Sequence, residues 1–290
     1  MITGLDHYII LVNDLEAAME SFRGLGFNVE LGGVHSAFGS RNALVPFVDG
    51  TYVELLTFQD ANLAAQTFWA DSVKKLQARE GFDGFAVQSN DIASDVERIR
   101  HRGLKMDEPQ PGSRNRPDGE RVAWRTARSP EPFAPILPFL IQDETSHSLR
   151  IESAREGLGS HVRPKELVIA VNNAEVARQA YRELFDIEPK PVQNAARDVQ
   201  GYRVTAPWGS IVLARPERRG NALSEQLSQR GEGLYAITFG ADDINQVRNL
   251  VRLSNVSVED ETYGFMIAPS AVHGARLRFL QGESKEQSLM

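Results

Sequence analysis

Four stretches of the chain repeat one pattern of apolar and polar positions. The first, LDHYIILVNDLEAAMESFRGLGFNVE, opens on an alternation that puts Leu5, His7, Ile9 and Leu11 on one face of a strand. Asn13 or Asp14 then caps a helix whose buried stripe is Leu15, Ala18, Met19 and Phe22, and Gly24 and Gly26 end it. The same order recurs in FDGFAVQSNDIASDVERIRHRGLKM, with Asn90 or Asp91 as cap and Ile92, Val96 and Ile99 as stripe. It recurs again in PKELVIAVNNAEVARQAYRELFDIEP, capped by Asn172 or Asn173, and in GLYAITFGADDINQVRNLVRLSNVSVED, capped by Asp242 or Asp243.

Each helix is followed by short extended segments. In the first copy they are residues 27–35, 41–48 and 51–58, the last two joined by an Asp49-Gly50 hairpin turn. The predicted architecture is therefore α+β: four βαβββ modules paired into two curved mixed sheets, opening on strands near 5–12, 83–89, 165–172 and 234–240. Residues 60–80 read as one extra amphipathic helix, 143–163 as a polar bridge between halves, and 215–232 as the link between modules three and four. The Pro/Arg-rich stretch 108–135 reads as a long loop. Two domains follow, residues 1–145 and 160–283.

Composition narrows the function. A net charge of −7 disfavours nucleic acid, whose phosphates need a basic face. No apolar run reaches the roughly 20 residues that span a bilayer, and the N-terminus has no signal-peptide pattern, so a cytoplasmic protein is expected. With no cysteine, disulfides, zinc-thiolate sites and thiol catalysis are out, and any metal must be held by His, Asp or Glu.

The segment TYVELL poses the main chemical question. Alternation puts Tyr52, Glu54 and Leu56 on one face and Thr51, Val53 and Leu55 on the other. A carboxylate inside an apolar strand needs a cation, a donor or a metal. The candidate partners are His7, His35 and Arg41. His35 stands in GGVHSAFGSRN, where Gly32, Gly33 and Gly39 permit a tight turn or close backbone approach. Each has a plain alternative: His7 as a hydrogen-bonded strand histidine, His35 as a turn histidine, and Glu54 as an ordinary buried ion-pair partner. Arg41 and Asn42 are candidates for binding a substrate carboxylate or carbonyl, with Tyr52 beside them on the sheet. Arg114, Arg116, Arg121, Arg125 and Arg128 cluster around the long loop and read as solvated, or as a guide for an anionic ligand.

Paired βαβββ units resemble the vicinal oxygen chelate superfamily, which includes glyoxalase I, extradiol dioxygenases and bleomycin-resistance proteins. Within it LDHYIILVNDLEAA, GFNVELGGVHSAFGSRNAL, GTYVELL and LPFLIQD are similar to the glyoxalase-like domain family. The motif likeness covers the first half; the second half matches in repeat pattern alone. The resemblance implies a divalent metal (Zn, Fe, Mn or Ni) on the concave face, with His7 and Glu54 at two ligand positions. His35 would complete a two-histidine-one-carboxylate set. The counterpart positions near Gly84 and Phe139 or Leu140 carry no ligand; Phe139 either packs the sheet or stacks on substrate. In the second half Glu166, Ala236, Val212 and Arg278 occupy them, which implies a degenerate pair with a filled cup.

Two functions follow from the resemblance. One is a metal-assisted lyase, isomerase or dioxygenase-type enzyme acting on a small oxygenated substrate, with Glu54 and His35 as catalytic groups. The other is a non-catalytic small-molecule binding or sequestration protein of the bleomycin-resistance type. In either case the partner is a small molecule, and a homodimer is compatible with the fold.

Overall fold

The computed structural model describes residues 1–194, 199–254, 256–261 and 263–282. The sequence-predicted domain end at 283 lies just outside them. Four βαβββ modules are present. The first contains β1 (Ile2–Leu11), α1 (Leu15–Gly24), β2 (Glu30–His35), β3 (Ser40–Pro46) and β4 (Tyr52–Phe58), followed by the short helices α2 (Ala61–Ala64) and α3 (Ala70–Ala78). The second contains β5 (Gly81–Ser89), α4 (Ile92–His101), β6 (Gln110–Asn115), β7 (Arg121–Ala127) and β8 (Phe139–Asp143), followed by α5 (His147–Arg150). The third contains β9 (Val162–Ala170), α6 (Ala174–Phe185), β10 (Lys190–Asn194), β11 (Val199–Ala206) and β12 (Gly209–Pro216), followed by α7 (Ala222–Arg230). The fourth contains β13 (Gly233–Ala241), α8 (Ile244–Arg252), β14 (Val258–Glu261), β15 (Gly264–Ile267) and β16 (Leu277–Gln281).

The helix caps settle the paired alternatives the same way each time. Asp14, Asp91, Asn173 and Asp243 each accept from a backbone N–H in the first turn of their helix. The predicted stripes of α1 and α4 are buried.

In every module the first and last strands pair in parallel. Modules join through antiparallel pairing of their first strands, β1 with β5 and β9 with β13. The first pair closes into a barrel in the order β1-β4-β3-β2-β6-β7-β8-β5, its β2–β6 seam carrying a single ladder pairing, Val34 with Asn115. The second pair is an eight-stranded sheet in the order β10-β11-β12-β9-β13-β16-β15-β14. One continuous apolar core joins the halves, running from Tyr8, Ile10, Val53 and Leu55 through Phe47 to Leu167, Phe239 and Phe279. Among the described residues no helix is long and apolar enough to cross a membrane.

Four expectations change. The stretch 108–135 is not one loop, because β6 and β7 run through it. Their inward positions include Gly112, Arg114 and Thr126 beside Trp124, so the usual apolar alternation is missing. The helix expected over 60–80 is two helices, broken where Phe68 and Trp69 turn toward the barrel. The second cup is not filled: it holds a hollow of about 600 Å³ lined by Glu166, Val212, Tyr235 and Arg278 among others. The barrel is the tighter half, with a cavity of about 50 Å³.

The fourth change concerns β1. Leu5 pairs with Val87 and Tyr8 with Phe85, so Asp6 and His7 together oppose Ala86. This two-against-one register is a β-bulge, and it shifts the side-chain parity along the strand. Leu5 therefore joins Tyr8 and Ile10 in the shared core, while His7 lines the barrel cavity beside Ile9.

Candidate functional site

The barrel cavity is where the chemistry-bearing residues converge. Glu54 points inward from β4 and is only 7% exposed. Val53 and Leu55 face the shared core, as the alternation requires. Asn42 on β3 donates from Nδ2 to Glu54 Oε1 at 2.5 Å. The other oxygen, Oε2, lies 3.5 Å from His7 Nε2.

His7 is fixed on three sides. Its Nδ1 is 2.6 Å from Asp6 Oδ1, its ring stacks on Tyr52 with centroids 4.9 Å apart, and Phe139 meets it edge-on at 5.3 Å. Asp6 is itself buried. Burial alone would raise its pKa, but the Arg150 guanidinium and the His7 hydrogen bond outweigh burial and hold it well below the usual carboxylate range. Asp6 is thus an anion and an acceptor. It follows that the Nδ1 of His7 carries the proton and Nε2 is the nitrogen turned toward Glu54.

Arg150 anchors this assembly. It is 3% exposed and donates to Asp6 Oδ1 and Oδ2 at 2.8 and 2.7 Å, to the Tyr52 hydroxyl at 2.6 Å, and to Asp143 Oδ1 at 2.6 Å. Burial raises the Tyr52 pKa, so its hydroxyl stays protonated. Sequence reasoning missed both Asp6 and Arg150. Asp6 carries a signal, a second ionisable residue inside an apolar strand; Arg150 sits in a polar bridge and carries none.

His35, at the end of β2, lines the same cavity and has the Ser40 hydroxyl 3.1 Å from Nδ1. Trp124 meets its ring edge-on at 5.9 Å. Burial pushes its pKa down to about 4, with the Glu54 charge opposing that shift, so His35 is neutral near pH 7.

Arg41 does not line the cavity. It alternates with the inward Ser40 and Asn42, so it points outward, and it pairs with Glu16 at 2.7 and 2.6 Å. Two arginines from the supposedly solvated cluster line the cavity instead. Arg114 is buried and donates to the carbonyls of Gly32 and Arg150. Arg128 lies over the rings of Phe68 and Phe139, at 4.0 and 4.3 Å from their centroids.

The donor set does not fit a metal held by three protein ligands. Among the described residues no group of three His, Asp or Glu side chains is arranged to hold a metal ion. His7 Nε2 and Glu54 Oε2 make two donors. Phe139, edge-on to the His7 ring, and Ile141 add only apolar lining, and the remaining charged groups lining the cavity, Arg114, Arg128 and Arg150, repel a cation. The expected set of His7, Glu54 and His35 is therefore one cavity lining, not one coordination sphere.

The glyoxalase-like domain family model matches residues 5–185, more than half of the chain, and the chain belongs to that family. No curated protein matches by sequence. Among solved structures, a hypothetical protein from Staphylococcus aureus is similar over 96% of this chain and 99% of its own, with 15% identity and a TM-score of 0.68. A mutant of 4-hydroxymandelate synthase from Streptomyces coelicolor is similar over 98% and 93%, with 12% identity and a TM-score of 0.65. At these identities the likeness shows the shared vicinal oxygen chelate fold.

Proposed function

We propose that the barrel cavity binds a small oxygenated molecule and moves a proton within it, as an isomerase or lyase does, with Glu54 as the base. The observation that carries this reading is the asymmetry of the Glu54 carboxylate. Oε1 is held by Asn42, while Oε2 faces the cavity, 3.5 Å from His7 Nε2. A carboxylate fixed at one oxygen and open at the other is oriented for proton transfer.

In the proposed step the substrate C–H bond beside a carbonyl breaks and its proton passes to Glu54 Oε2. The electron pair moves onto the carbonyl oxygen as an enolate. His7 Nε2, with Nδ1–H held by ionised Asp6, is placed to take that proton from Oε2 and return it to the same carbon as the electron pair moves back from the enolate oxygen. Arg150 keeps Asp6 charged, so it fixes the histidine tautomer from one residue further out. Trp69, Trp124 and Phe139 give the cavity an aromatic lining beside these polar groups. No step is routed through a metal, since among the described residues no three His, Asp or Glu side chains are arranged to hold one.

The test is deuterium exchange. A panel of small 2-oxo acids, their esters and aromatic ketones is incubated with the protein in D2O, and exchange beside the carbonyl is followed by NMR. Catalysed exchange that falls by roughly 10²-fold or more in Glu54→Gln supports the proposal. Binding of a panel member without exchange favours the sequestration reading. Exchange that survives in Glu54→Gln removes Glu54 as the base.

A further inference from the structure

Among the described residues three guanidinium groups line the barrel cavity, and they differ in what they touch. Arg150 is saturated by Asp6, Asp143 and Tyr52. Arg114 is occupied by two main-chain carbonyls. Arg128 has no hydrogen-bond acceptor for its guanidinium among the described residues, and its Nε is buried without a partner.

A guanidinium has five N–H donors and no acceptor capacity. Leaving a buried donor unsatisfied costs the desolvation of that group, and more when it is charged. Here burial depresses the Arg128 pKa to about 10, even with Asp83, Glu54 and Asp107 opposing the shift. The side chain is nevertheless well held. Phe68 and Phe139 lie 4.0 and 4.3 Å from its guanidinium carbon, and Trp69 lies at 5.4 Å. Aromatic faces hold the planar group in place but accept none of its in-plane hydrogen bonds. The position is prepared for an acceptor that the protein itself does not supply.

From this we infer that Arg128 is the receptor for an anionic oxygen group, and that the molecule entering the barrel is a small carboxylate. The inference rests on the proposed function for the identity of the cavity and deepens it by assigning the substrate class. Its geometry is complementary: a carboxylate accepts two parallel N–H bonds from a guanidinium fork. The rest of such a molecule would lie against Phe38, Trp69, Trp124 and Ile141, with its reacting carbon toward Glu54. A carboxylate at Arg128 also explains why the arginine is tolerated at all. Its cost in the empty cavity is offset when the ligand binds, so recognition is concentrated at one residue.

Two of the three tryptophans, Trp69 and Trp124, line the cavity, so binding is readable as a change in intrinsic fluorescence. The probes are acetate, pyruvate, 2-oxobutanoate, benzoate and phenylpyruvate, each compared with its methyl ester, on the full chain at pH 7. The expected result is that at least one acid binds ten- to a hundredfold more tightly than its ester. Arg128→Met should abolish that difference by weakening the acid alone, and Arg128→Lys should restore part of it. Equal binding of every acid and ester, no binding by any acid, or an acid preference that survives Arg128→Met would each overturn the inference. Because wild-type acid and ester are compared directly, a poorly folded Arg128→Met protein does not remove the test. The same titrations on Glu54→Gln separate the two proposals. Acid preference without exchange in the wild type defeats the base role of Glu54 and leaves the anion receptor standing; exchange without acid preference does the reverse.

Discussion

Asp6 and His7 are consecutive residues of one β-strand, yet their side chains share a 2.6 Å hydrogen bond. In a regular strand neighbouring side chains point to opposite faces. The bulge opposite Ala86 removes that separation and brings the two side chains together, with His7 lining the barrel cavity. The consequence is a chain of groups, Arg150 to Asp6 to His7, in which each orients the next and which ends 3.5 Å from Glu54, the carboxylate held by Asn42.

That chain makes stability sensitive to acid in a defined window. Asp6 has a folded pKa far below its unfolded value of about 3.9. A depressed carboxylate contributes stability that is fully present above the unfolded pKa and is lost as pH falls toward the folded value. Below about pH 4 the unfolding free energy should therefore drop by about 1.4 kcal/mol per pH unit from this group alone. Arg150→Met leaves Asp6 buried without its cation and should destabilise the protein by about 3–5 kcal/mol at pH 7. Urea unfolding at several pH values checks both, and a flat profile between pH 4 and 2.5 would contradict the first.

His35 titrates in a different window. Its folded pKa of about 4 lies below the unfolded value of about 6.5. Between those values the unfolded chain binds a proton that the folded protein does not, so stability falls as pH drops from 6.5 to 4. The full effect is roughly 3 kcal/mol, and His35→Gln should flatten the profile in that range while leaving the loss below pH 4 in place. Imidazole NMR titration gives an independent reading: the His35 resonances should remain those of the neutral ring down to about pH 5.

Much of the scaffold was legible because burial imposes period. The four opening strands, the stripes of α1 and α4, and the inward set Tyr52, Glu54 and Leu56 all follow from alternation or from 3.6-residue spacing. The site was less legible for the same reason. Strands that line a polar cavity carry Arg114, Trp124 and Thr126 on the inner face, so their hydrophobic alternation is erased and β6 and β7 read as loop. A bulge leaves no local signature, so alternation alone puts Leu5 on the face of His7. Arg150 reaches the site from a short helix in the bridge, a long-range contact with no periodic signal. Arg41 and Asn42 are adjacent and equally polar, and only the register of β3 separates them.

That register predicts opposite outcomes for neighbouring mutations. Arg41 pairs with the largely exposed Glu16 on the outside of the barrel. Exposed pairs of this kind contribute about 0–1 kcal/mol. Arg41→Ala should leave stability within that range and leave carboxylate binding and proton exchange unchanged. A tenfold loss of binding in this variant would show that Arg41 reaches the ligand from β3 after all.

Asn42 should behave differently, and Gly32 should behave like Asn42. Asn42 acts on the proposed chemistry only through Glu54, by fixing Oε1 at 2.5 Å, so it is a positioning residue. Hydrogen bonds to a charged group are worth about 1.5–3 kcal/mol, so Asn42→Ala should slow exchange by roughly 10- to 100-fold. The loss should fall on kcat rather than KM, because the Arg128 receptor is untouched. Gly32 is the reason Asn42 can sit where it does. A Cβ at position 32 would lie 2.2 Å from Asn42 Oδ1, and the clash must displace the amide. Gly32→Ala is therefore expected to reproduce the kcat loss of Asn42→Ala without contacting Glu54. Since both act through the same amide, the double variant should be no slower than the more affected single variant. Additive losses in that cycle, or a Gly32→Ala protein with wild-type kcat, would show that Glu54 is oriented by something other than Asn42.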